Sequence, residues 1–209
     1  MKRIIPVFLL FLLAVPAAFA QSRAFDLTGS AVWVDPTSEG TFNSSDPTTV
    51  NFDGTLGYGI AANVFWTNRI STEFAVARVS PQTTARRRAA GASGGDIVMM
   101  PITAVLQFHL APNGTLDPYI GAGAAYVLFD DFNANGLNGV RRIELKDDAG
   151  LALNAGLGIR LGSRFGILLD GKYVPLKSSA TAVYATGPNT TADIDINPVI
   201  LSAGLQIRF

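Results

Sequence analysis

Residues 199–209 read VILSAGLQIRF, and a two-residue period runs through them to the last residue of the chain. Val199, Leu201, Ala203, Leu205, Ile207 and Phe209 share one side of an extended strand, and Ser202, Gly204, Gln206 and Arg208 share the other. Chain ends ordinarily fray. An alternation kept to the final aromatic ring implies a terminal strand paired along its whole length. Seven further segments alternate in the same way, at 25–35, 53–66, 70–80, 97–110, 119–130, 148–161 and 165–176, and the terminal one extends back to 193–209. Helical spacing fits none of them as well.

In the segment 148–161, Ala149, Leu151, Leu153, Ala155, Leu157, Ile159 and Leu161 fall on one face. Asp148, Gly150, Ala152, Asn154, Gly156, Gly158 and Arg160 fall on the other, so one face suits hydrocarbon and the other does not. The connections alternate too: long at 36–52, 81–96, 131–147 and 177–192, short at 67–69, 111–118 and 162–164. Long and short connections therefore leave from opposite ends. The pattern predicts an all-β fold, an eight-stranded antiparallel up-and-down transmembrane β-barrel.

A soluble lipocalin-like barrel would alternate equally well. The choice turns on which face is small. Gly57, Gly59, Gly121, Gly123, Gly150, Gly156, Gly158 and Gly166 stand among the polar groups, while the opposite faces are almost unbroken in large apolar residues. Eight strands leave an interior only wide enough for side chains, so small residues belong inside and the apolar faces outside. A closed barrel has no free edge, which accounts for the tail: its last strand pairs with its first.

At the other terminus Lys2 and Arg3 precede an apolar run from Val7 to Val15, and small residues follow at Ala18 to Ala20. This is the pattern of a secretory signal peptide over residues 1–20, leaving residues 21–209 as the barrel. Without Lys2 and Arg3 the 16 basic residues become 14 against 16 acidic ones, a balance that gives nucleic acid no hold. Cysteine is absent, which excludes disulfides, thiol catalysis and cysteine metal sites.

Several stretches resemble the outer-membrane protein W (OmpW) family: PYIGAGAAYVLFDDF from Pro118, ELKDDAGLALNAGLGIRL from Glu144, SRFGILLDGKYVPL from Ser163 and DIDINPVILSAGLQIRF from Asp193. TLGYGIAANVFWTNRISTEFAVA and LQFHLAPNG fit the first half more loosely. The resemblance implies a cell outer membrane location, an eight-stranded barrel with a narrow apolar interior, and passage of small hydrophobic molecules. Phe209 on the outward face also resembles the signal read by the β-barrel assembly machinery.

Split by depth, the inward faces differ. Toward the long connections they carry Val32, Val34, Val79, Ile97, Met99, Val127, Phe129, Val174, Leu176, Ile194 and Ile196. Toward the short turns they carry Asp26, Thr28, Asn63, Glu73, Gln107, His109, Asn154, Arg160, Asp170, Lys172, Gln206 and Arg208. An apolar wall is a poor lining for an ion or sugar pore and a fitting one for a small hydrophobic ligand. The same residues would equally serve as a core packed against itself, and the two readings stay open. Below them a polar plug is expected from Asn63, Glu73, Asn154, Arg160, Asp170, Lys172 and Arg208, with Asn63 opposite Glu73 and Asn154 opposite Lys172. Its charges require partners, since an unpaired buried charge costs several kcal/mol.

With the bottom closed, the side wall is the remaining exit. Proline has no N–H for the ladder. Pro175 and Pro198 fall near the outer ends of the last two segments and mark a candidate lateral gate there, with Pro101 as a rival in the fourth segment.

Enzyme chemistry finds little support. His109 is the only histidine, and no serine, histidine and acid share an outward or rim face. The stretch DDFNANGLNG has calcium-loop spacing at Asp131, Asn133, Asn135 and Gly136, but Arg142 stands where the closing acid belongs. No metal, cofactor or nucleotide site is expected. Arg86, Arg87 and Arg88 in a long connection, and Arg78 at the outer end of the third segment, suit lipopolysaccharide phosphates or plain solvation. The expected partners are thus outer-membrane lipid and lipopolysaccharide, the assembly machinery and a small hydrophobic ligand.

Overall fold

The computed structural model describes residues 24–36, 39–42, 48–52, 54–87, 91–96, 98–130, 132–133, 140–184 and 189–209. The leader expected at 1–20, Ile97, Arg88 and most of the DDFNANGLNG stretch lie outside them, as do the side chains of Ile194, Arg86 and Arg87. The strands are β1 (Phe25–Pro36), β2 (Glu39–Phe42), β3 (Thr48–Phe52), β4 (Thr55–Phe65), β5 (Ile70–Arg78), β6 (Gln82–Arg87), β7 (Gly91–Asp96) and β8 (Met99–His109). They continue with β9 (Leu116–Phe129), β10 (Phe132–Asn133), β11 (Val140–Leu145), β12 (Asp148–Arg160), β13 (Phe165–Tyr173), β14 (Leu176–Tyr184), β15 (Thr190–Ile196) and β16 (Pro198–Arg208).

Eight of these close into a barrel in the order β1-β16-β13-β12-β9-β8-β5-β4, with β4 returning to β1. Closure runs through the tail as its alternation requires: β1 and β16 pair from Asp26↔Arg208 to Pro36↔Pro198. Phe209 is held as well, its N–H donating to the Phe25 carbonyl at 2.9 Å and its carbonyl accepting from Ala24 N–H at 3.1 Å. No edge is left at the last residue.

The outer faces settle the choice between membrane and soluble barrel. Leu56 is 70% exposed, Leu151 68% and Leu205 71%, three large aliphatic groups that only hydrocarbon would cover without penalty. Trp33, Tyr58, Tyr126 and Tyr173 ring the long-connection end, and Trp66, Phe108, Phe165 and Phe209 ring the short-turn end, all exposed. Two aromatic girdles around an apolar band are the exterior of an outer-membrane barrel.

Two expectations are corrected. The long connections are not plain loops, because β2-β3-β6-β7 and β10-β11-β14-β15 form two four-stranded sheets that continue the wall above the barrel. Their glycine, serine and threonine content gives the chain no apolar face to alternate, yet the backbone still finds ladder partners in the neighbouring extension. The seventh and eighth segments, read as single strands, are each split: β13 gives way to β14 at Val174 and Pro175, and β15 to β16 at Asn197. Proline interrupts the ladder there, and Asn197 Oδ1 accepts the Leu176 N–H at 3.3 Å in place of a backbone bond.

Candidate functional site

The inward faces of the barrel strands enclose a lumen, and it is filled in two layers. In the upper layer Val32, Val34, Val79, Met99, Val127, Val174 and Leu176 form one buried cluster with Val105, Ala125, Ala152 and Ile200, and Phe129 packs against it. Ile196 is also buried. The expected apolar lumen is present, and its side chains close on one another. Val105, Ala125, Ala152 and Ile200 carry the same faces down to mid-barrel and were not expected among them.

The lower layer is a hydrogen-bonded sheet of side chains. Lys172 pairs with Asp170 and, at 2.8 Å, with Glu73, so one ammonium serves two carboxylates. Asp170 Oδ2 accepts from Tyr119 Oη at 2.7 Å and from Asn154 Nδ2 at 2.6 Å. Asn154 Oδ1 in turn accepts from Gln107 Nε2 at 3.0 Å, and Gln107 Oε1 accepts from Asn63 Nδ2 at 2.7 Å. The chain of contacts crosses the barrel from β5 through β13, β12, β8 and back to β4. The predicted registers hold, with Asn63↔Glu73 and Asn154↔Lys172.

Glycine makes this layer possible at one place. Gly156 stands opposite Tyr119, and a Cβ there would lie 2.2 Å from the phenol oxygen. Without a side chain the phenol passes over β12 and reaches Asp170 on β13.

Arg160, expected in the plug, is not part of it. It ends β12, and from there its guanidinium reaches out to the turn below, donating to the Pro112 carbonyl at 2.9 Å and the Asn113 carbonyl at 3.4 Å. Arg208 is buried in the lower lumen and donates from Nε to Gln206 Oε1 at 3.0 Å.

Ser71, Asp117 and Tyr119 were not anticipated, whereas His109 was expected on the lower inward face. Ser71 Oγ lies 2.9 Å from His109 Nε2, and His109 Nδ1 lies 2.9 Å from Asp117 Oδ2. Acid, imidazole and hydroxyl thus stand in the order familiar from hydrolases. Ser71 has no exposed surface, its hydroxyl also lies 3.4 Å from Gln107 Oε1, and the rings of Phe65 and Tyr119 flank the imidazole. The array ties β5, β8 and β9 together where a substrate has no approach. Asp117 and Tyr119 were legible: β9 starts at Leu116, and the period of Gly121 and Gly123 extended back through Pro118 places both inward.

The prolines act on different seams. Val174 N–H donates to the Pro198 carbonyl at 3.1 Å, so residue 174 faces β16 and residue 175 faces β12. Pro198 therefore weakens the β13–β16 seam and Pro175 the β12–β13 seam, whose pairing ends at Leu153↔Tyr173. Placing both prolines on one seam is corrected accordingly. Pro101 removes a donor toward β5: pairing stops at Val76↔Ile102 and resumes at the reciprocal bond pair of Val79 and Met99, at 3.0 and 2.9 Å. Arg78 is exposed at the outer end of β5, beside Met100 across this break.

Known proteins agree with this architecture. Outer membrane protein W of Vibrio cholerae is 29% identical over 184 residues, covering 84% of this chain and 83% of that one. Outer membrane protein AlkL of Ectopseudomonas oleovorans is 32% identical over 109 residues, 52% of this chain and 46% of that one. Among solved structures, the outer membrane protein OprG from Pseudomonas aeruginosa superposes with a TM-score of 0.79 at 22% identity, covering 90% of this chain and 96% of OprG. The OmpW family model matches residues 27–209. With its closed eight-stranded barrel and apolar outer band, the chain belongs to the OmpW family and is a multi-pass protein of the cell outer membrane.

Proposed function

We propose that this barrel passes small hydrophobic molecules across the outer membrane, receiving them at the long-connection end and releasing them sideways through its wall. The observation that carries the reading is the two-layer lumen. Opening the lower layer separates Lys172 from Glu73 and Asp170 in a closed space, at roughly 3–5 kcal/mol for a broken buried pair. Parting the upper layer for an apolar guest exchanges one set of dispersion contacts for another and strands no polar group. A molecule taken into the upper lumen therefore has a cheaper way out through the side than through the bottom.

The β5–β8 seam at Pro101 is the exit this geometry supports best, because the lost donor adjoins Ala77 and a small cavity in the lumen that Pro101 itself lines. The β13–β16 seam at Pro198 is the second choice. The chain has no cysteine, so engineered pairs form single defined disulfides. Arg78→Cys with Met100→Cys bridges the first seam, and Tyr173→Cys with Val199→Cys bridges the second at directly opposed positions. Uptake of a panel of apolar compounds should fall in the first variant when oxidised, recover on reduction, and stay unchanged in the second. The reverse pattern moves the exit to Pro198.

The packing of the upper cluster also favours a second reading, a barrel that transports nothing and presents its extensions for surface recognition. Equal sensitivity to the whole panel with and without the protein would decide for it. In either reading we assign Arg78 to lipopolysaccharide phosphate and Phe209 to uptake by the assembly machinery.

A further inference from the structure

Where the two layers meet there is a cavity of about 40 Å³. Its lining combines Glu73, Asp170, Lys172 and Thr103 with Val32, Ala77 and Ile200. The space is large enough for a small polar group, since one water needs ~10–15 Å³. Thr103 lies on the inward face of β8, 3% exposed, and its Oγ1 has no hydrogen-bond partner. Valine has the same shape and would fill the position without leaving a hydroxyl unsatisfied. A buried, unpartnered hydroxyl beside a carboxylate pair and under an apolar roof is the outline of a site for a molecule with one polar end.

We propose that this cavity binds the hydroxyl group of an apolar alcohol, with the hydrocarbon tail directed into the upper cluster. The inference rests on the hydrophobic-passage reading and names the chemical class it favours. A hydroxyl is both donor and acceptor. It donates to a carboxylate oxygen of Glu73 or Asp170 and accepts from Thr103 Oγ1, meeting both needs of the cavity. A carboxylate head has no proton to give and adds a negative charge beside two carboxylates that already share one ammonium. A plain alkane leaves Thr103 as it is. The expected order is therefore alcohol above alkane and alcohol above carboxylate.

The test is a titration of the methyl-labelled full-length barrel in lipid nanodiscs with octan-1-ol, octane and octanoate, following the Thr103 and Ala77 methyl resonances, with cellular uptake measured in parallel. Octan-1-ol should saturate these shifts and bind roughly 3- to 10-fold more tightly than octane or octanoate, the factor that one hydrogen bond of ordinary net strength supplies. Thr103→Val should weaken octan-1-ol and leave octane unchanged, and Thr103→Ser should keep the full preference. Equal affinities for octan-1-ol and octane in the wild type, or a preference that Thr103→Val does not diminish, overturns the site. Binding of octan-1-ol without any uptake sinks the passage reading and upholds the site. Uptake with no preference for the hydroxyl does the opposite.

Discussion

The lower and upper halves of the lumen occupy the same narrow tube and are filled by opposite means. Below, each contact is directional: Asp170 takes Lys172, Tyr119 and Asn154 at once, and removing it takes a partner from each. Above, Val34, Val127 and Val174 are completely buried but hold one another by shape alone. Low dielectric makes the first kind of filling costly to open part-way, because a half-satisfied network is worse than none. The second kind yields to any apolar object of suitable size. On the proposed reading a barrel built this way is closed to ions from below and compliant from above, and that contrast, more than its total burial, directs what can pass.

The largest expected effect comes from breaking the lower half. Asp170→Ala removes a partner of Lys172 and should lower stability by about 3–5 kcal/mol, read by urea unfolding in lipid vesicles. The same variant should raise ion conductance in planar bilayers, where the wild type should show small or rare openings. A large, stable pore in the wild type would show that the layer does not seal.

The matching change above is milder and differs in kind. Val127→Ala deletes two methyl groups from a fully buried residue, worth about 1.6 kcal/mol at ~0.8 for each carbon before the cavity term. Conductance should stay at the wild-type level, while uptake of apolar compounds rises because less packing has to be displaced. A conductance increase equal to that of Asp170→Ala would erase the distinction between the halves.

How much of this was legible follows the same division. The barrel, its closure through Phe209 and the apolar upper faces were readable because lipid outside and a filled lumen inside impose a strict period of two on each strand. That Glu73, Asp170 and Lys172 meet was readable, since charges on an inward face of so narrow a tube have to pair. Their particular partners were not. Arg160 shares the parity of Asn154, but its place at the strand end lets a long side chain turn outward to the Pro112 carbonyl. Asp117 falls within the short connection expected at 111–118, but the strand starts earlier, at Leu116, since proline at the start of a strand does no harm to the ladder. Ser71 shares the inward parity of Glu73, and its pairing opposite Gln107 brings it within 2.9 Å of His109. The extensions β2, β3, β6 and β7 were not legible because residues rich in glycine and threonine show no apolar alternation.

The smallest effect should come from within the lower half itself. Ser71 is as deeply buried as Asp170's partners, yet it sits at the edge of the network, joined to His109 at 2.9 Å and only at 3.4 Å to Gln107. Ser71→Ala deletes a neutral donor and leaves the imidazole Nε2 without its partner, while His109 keeps its contact with Asp117. A single neutral hydrogen bond is worth about 1 kcal/mol, so unfolding in vesicles should shift by that amount. Conductance should not change, because the span from Glu73 through Lys172 and Asp170 to Gln107 remains whole. If Ser71→Ala destabilised the barrel as much as Asp170→Ala, the seal would lie in the Ser71, His109 and Asp117 array and not in the shared ammonium.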